Sequence, residues 1–64
     1  MKLYVYNTET MEVAAIIEGE TNEACENVAS EQYGDTDYYG WTYTPAFGTN
    51  DGLIETNDSI EIEA

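Results

Sequence analysis

Fourteen carboxylates, one thiol and a scatter of hydroxyls are the chemically capable side chains of this 64-residue chain, which has one Lys or Arg, no His and a formal net charge of −13. Without His, the commonest general base and metal ligand is missing. Ser30 and Ser59 therefore have no imidazole to activate them. Cys25 is single, which excludes an internal disulfide, a CxxC pair and a cysteine zinc site. A small domain without bridges fits a reducing cytosol better than secretion. Lys2 is the only side-chain cation, so direct binding to nucleic acid or to an anionic membrane is excluded on charge.

The carboxylates leave three chemistries to consider. Paired acids can do glycosidase-type acid–base work, which needs a cleft that desolvates one of them. A chain of this length buries only about 60 % of its unfolded surface, so a deep cleft is not expected and the chain reads as non-enzymatic. Calcium is the second. Asp35-Thr36-Asp37-Tyr38-Tyr39-Gly40 opens like an EF-hand loop, with oxygen ligands at the first and third positions and glycine at the sixth. Tyr39 at the fifth position and Ala46 at the twelfth are the wrong residues, so an Asp-rich turn is the better reading and no metal or cofactor is expected. The third is electrostatic: rows of solvated carboxylates standing in for a phosphate backbone. Alternate residues on a strand lie about 6.8 Å apart on one face.

The elements that would carry these acids follow from periodicity. Hydrophobic residues make up 42 % of the chain, with six Tyr, one Trp and one Phe, too much apolar material for a disordered acidic tail. Lys2 to Asn7 reads as a strand, with Leu3 and Val5 on one face and Tyr4 and Tyr6 on the other. Asn7-Thr8-Glu9-Thr10 is turn chemistry, and a second strand from Met11 to Glu18 puts Val13, Ala15 and Ile17 on one face, which makes a hairpin. Thr21 or Asn22 caps a helix over Asn22 to Tyr33, whose apolar side is Ala24, Cys25, Val28, Ala29 and Tyr33, and Gly34 stops it. Tyr38 to Thr44 places Tyr39, Trp41 and Tyr43 on one strand face, ended by Pro45. Leu53 to Thr56 is a short strand candidate. Ser59 to Glu63 alternates, Ile60 and Ile62 inward, Glu61 and Glu63 outward. The order β-β-α-β-(β)-β describes one α+β domain, a three- to five-stranded antiparallel sheet with one helix packed on one face. No run approaches the roughly 20 apolar residues of a membrane span, and Asn7 interrupts the start too soon for a signal peptide.

Acid is spread over the whole chain and does not collect in a tail. Each pair of charges about 10 Å apart repels by only about 0.4 kcal/mol in water, but many pairs add up in a fold with a thin core. Two rewards offset that cost: imitation of DNA toward a basic protein surface, or an acidic interaction or halophilic-type solubility role without a DNA-binding target. The exposed carboxylates Glu12, Glu18, Glu20, Glu23, Glu26, Glu61 and Glu63 and the turn acids Asp35 and Asp37 are the candidates to meet a partner's Lys and Arg. Tyr39 or Trp41 is the candidate aromatic anchor, set against ordinary core packing.

The opening Lys2-Leu3-Tyr4-Val5-Tyr6-Asn7, the hairpin through Val13-Ala14-Ala15-Ile16-Ile17, the helix from Asn22 to Tyr33 and the acid–aromatic stretch with Asp35, Asp37 and Tyr38-Tyr39-Gly40-Trp41 give the chain its character. In that it resembles the small acidic proteins of phages and mobile elements, anti-CRISPR proteins in particular. The resemblance implies a stoichiometric inhibitor, a monomer or weak dimer in the bacterial cytoplasm, that occupies the nucleic-acid groove of a CRISPR-Cas effector complex and blocks its target DNA. It carries no functional residues across.

Overall fold

The computed structural model describes residues 1–34 and 37–64. Strands β1 (Lys2–Asn7) and β2 (Val13–Glu18) form an antiparallel hairpin at the centre of a four-stranded sheet. Helix α1 (Asn22–Tyr33) follows and lies across one face of the sheet, against β1 and β2. The chain then adds β3 (Tyr39–Thr42) beside β1 and β4 (Ile60–Glu63) beside β2, for the order β3-β1-β2-β4. This is the expected α+β arrangement, with one departure at its edge. β1 runs antiparallel to β2 and β3, whereas β4 runs parallel to β2, which makes the sheet mixed. Parallel neighbours need a long connection rather than a tight turn. The connection from β2 to β4 passes through α1 and β3, and its last stretch, 43–59, carries the chain from one edge of the sheet to the other.

The hairpin turn is longer than its composition suggests. Asn7 Oδ1 accepts from the Glu9 and Thr10 amides at 2.8 and 3.3 Å, and the Met11 N–H closes on the Asn7 carbonyl at 2.7 Å. Met11 then sits in the left-handed region at φ 63°, so β2 begins at Val13 and not at Met11. A bulge opposite Tyr6 follows immediately. Beyond it Ala15 and Ile17 join the helix-side core, while Val13, buried and paired with Tyr6, lines a separate hollow with Phe47. The expectation that Val13 shares a face with Ala15 and Ile17 is overturned by that bulge, since an extra residue re-aims its neighbours.

The core itself is small: Leu3, Val5, Ala15, Ile17, Cys25 and Ala29, all fully buried, with Val28, Tyr33, Tyr39, Trp41, Tyr43 and Ile62 packed around them. Thr21 is the N-cap, its Oγ1 accepting from the Ala24 N–H at 3.1 Å. Gly34 ends the helix in a right-handed conformation with its N–H on the Ser30 carbonyl at 3.0 Å, so the stop does not use glycine's left-handed freedom. Gly40 has a different reason to be glycine. It pairs with Tyr6 across β1 and β3, and a Cβ there would lie 2.8 Å from the Tyr6 hydroxyl. Leu53 to Thr56 makes no strand; Ile54 forms a single bridge with Glu12 and bonds to the main chain of Met11 and Val13. Ile60, expected inward, is 52 % exposed: it lies on the outermost strand beside the buried Ala15, with no further strand among the described residues to cover it, whereas Ile62 packs on the core.

Candidate functional site: an acidic belt

β4 owes its place beside β2 to its alternation, which keeps Ile62 on the core while Glu61 and Glu63 face away. In the parallel register Glu63 is the partner of Glu18 and Glu61 the partner of Ile16. Neighbouring strands lie about 4.8 Å apart and alternate residues about 6.6 Å along a strand, so Glu18, Glu61 and Glu63 form a tight triangle on the face opposite α1. Glu20 follows on the next turn and shares a shallow depression with Glu18, Thr21, Ala24 and Glu63. Two residues beyond the cap, the first turn of α1 carries Glu23, and Glu26 comes a turn later, about 4.5 Å along the axis. Six exposed carboxylates thus run as a belt from the sheet face, around one end of the molecule, to the outer side of the helix. The cross-strand neighbour of Glu18 on the other side is Lys2, the one basic side chain.

The remaining candidates do not join the belt. Glu12 lies at the opposite end, where it lines a hollow with Asn7, Tyr39 and Asp58. Asp37 is exposed near the hairpin turn, its carbonyl accepting from Thr8 Oγ1 at 3.3 Å. Asp35 lies outside the described residues. Within the segment of the EF-hand reading, Tyr39–Thr42 forms β3. Among the described residues no group of three or more Asp, Glu or Cys side chains is placed to hold a metal ion.

Tyr39 and Trp41 sit three strands from Glu61 and Glu63, about 14 Å across the sheet, and on its other face. Tyr39 packs edge-on against Tyr33 with ring centroids 4.9 Å apart, and Trp41 lies opposite Val5. Both are half-buried members of the core rim, so the structure separates the aromatic candidates from the acidic ones. Tyr43 links the aromatic side to the belt. Its hydroxyl donates to the Asn22 carbonyl at 3.2 Å, and its pKa is raised by partial burial and then by the neighbouring Glu26 carboxylate. Tyr33 is raised as well, by burial and then by Tyr39. Cys25 is enclosed, its Sγ 3.7 Å from the Ile17 carbonyl and 3.8 Å from that of Met1. Ser59 donates to the Thr56 carbonyl at 3.2 Å.

Sequence reasoning picked all six belt residues but missed their adjacency, which arises from the parallel pairing of β4. The one available signal was the length of the connection after Thr42, too long for a hairpin. No helix among the described residues is long and apolar enough to cross a membrane. No family model, curated protein or solved structure matches the chain.

Proposed function

We propose that the protein is a non-enzymatic inhibitor that imitates the charge of DNA and occupies the nucleic-acid-binding groove of a basic protein. A CRISPR-Cas effector in the bacterial cytoplasm is the target class that its resemblance implies. The observation that carries the reading is the density and placement of acid. The fold is 29 Å in its longest dimension and bears a net charge of −13. A B-form duplex of that length carries about 17 phosphate charges. The protein therefore reaches about three quarters of the duplex's linear charge, with one Lys to interrupt it. Along β4 alternate acids come about every 6.6 Å, about twice the 3.4 Å of helix axis that one DNA strand takes per phosphate. The shallow hollow beside Glu18 and Glu63 and the enclosed thiol support a reading of binding over turnover.

The test is capture of partners from nuclease-treated bacterial lysate at about 100 mM and about 500 mM NaCl, where screening separates charge-led from apolar contacts. Wild-type protein is expected to retain a basic nucleic-acid-binding complex at the lower salt and release it at the higher. The Glu18→Lys, Glu61→Lys, Glu63→Lys triple variant should fold and retain none of it. Capture that survives both the salt and the triple reversal would overturn the reading in favour of an apolar interface.

A further inference from the structure

We infer that the outer edge of β4 is a docking strand for an extended basic segment of a protein partner, one that alternates Lys or Arg with apolar residues. β4 is the last strand of the sheet, with no strand beyond it among the described residues. The Ala64 N–H donates to the Glu18 carbonyl at 2.7 Å. Main-chain groups alternate in direction along a strand, so Ile60, Ile62 and Ala64 face β2, and the N–H and C=O groups of Glu61 and Glu63 face outward. The open ladder positions thus belong to the two residues whose side chains are acidic.

Both faces of that edge specify the occupant. On the face opposite α1, Glu61 and Glu63, backed by Glu18, present negative charge where an added strand would place alternate side chains. On the helix face Ile60 is 52 % exposed beside its register partner Ala15, and an apolar side chain on an added strand would cover it. An incoming strand is therefore complementary when cations occupy one face and apolar residues the other. A second copy of this chain is a poor occupant, since it would set Glu against Glu with a net charge of −13 on each side. Exposed sheet edges that accept a strand draw affinity from main-chain bonds and specificity from alternate side chains. This inference does not rest on imitation of a duplex, which needs no ladder hydrogen bonds.

The experiment uses two peptides of one composition, acetyl-Ser-Lys-Ile-Arg-Ile-Lys-Ser-amide and acetyl-Ser-Ile-Ile-Lys-Arg-Lys-Ser-amide, titrated by NMR at about 150 mM NaCl. The alternating peptide is expected to bind about tenfold tighter and, at saturation, to slow amide exchange at Glu61 and Glu63 about tenfold while Ile60 and Ile62 change little. Glu63→Pro removes one outward N–H, a substitution that sheet edges tolerate, and should weaken the alternating peptide more than Glu63→Gln, which removes only the charge. Equal affinity for the two peptides, absence of binding, or binding without protection at Glu61 and Glu63 would each overturn the inference. None of these outcomes bears on competition with DNA, which tests the proposed function separately.

Discussion

Salt should stabilise this protein by an amount that its dimensions set. The net charge of −13 is confined to a fold with a Cα radius of gyration of 10.9 Å. Points in such a body lie about 15 Å apart, where two unit charges in water repel by about 0.3 kcal/mol before screening. Thirteen charges make about 78 pairs, or about 22 kcal/mol unscreened. At 0.15 M salt the Debye length of about 8 Å leaves about 3 kcal/mol of this, and at 1 M almost none remains. The unfolded chain, with a radius near 24 Å, retains only about 0.1 kcal/mol at 0.15 M. The difference, about 3 kcal/mol, compares with a total stability of about 3–10 kcal/mol for a domain of this size. At about 4–8 °C per kcal/mol, the Tm should rise by about 12–24 °C between 0.15 and 1 M NaCl. Thermal unfolding followed by far-UV circular dichroism over a salt series reads this directly. The rise should level off as the Debye length falls well below the charge spacing. A total shift under about 4 °C, or a linear climb with no plateau, would refute the repulsion account.

Two further predictions concern the elements that hold the belt. Thr21→Ala removes the acceptor for the Ala24 N–H and should cost about 1 kcal/mol, lowering the Tm by about 4–8 °C, while Thr21→Ser should restore it; an unchanged Tm in the alanine variant would contradict the capping role. Tyr43 and Tyr33 hold their protons above the usual 10.0 in the folded state, so the stability they contribute is complete below pH 10 and is lost as pH rises above it. In an NMR-monitored tyrosine titration, Glu26→Gln should bring Tyr43 down without moving Tyr33; equal movement of both would contradict the assigned causes.

Local pattern carried most of the fold. The hairpin alternation placed Leu3 and Val5 against Ala15 and Ile17, and the helical spacing of Cys25 and Ala29 placed both in the core. These elements declare themselves because each buries one face, and burial imposes the period of its own backbone. What failed depends on contacts between distant residues. Val13 left the expected face because of a bulge whose partner is Tyr6, and Ile60 stayed exposed because it lies on the outermost strand, where no further strand among the described residues covers it. β4 paired parallel because a 17-residue stretch lets the chain reach the far edge, and no short-range motif encodes that choice. The same holds for the site. That Glu18, Glu20, Glu61 and Glu63 are exposed acids was legible residue by residue; that they meet at one end was not. Tyr39 and Trp41 were assigned two roles by sequence, and their packing against Tyr33 and Val5 places them with the core.

The most direct test of the central claim is elution by DNA. Partner complex held on immobilised protein at about 100 mM NaCl is challenged with duplex DNA at constant ionic strength. If the protein occupies a nucleic-acid groove, the duplex and the protein compete for one surface, and rising duplex concentration should release the complex in full. A complex that stays bound while taking up the duplex would contradict imitation of DNA.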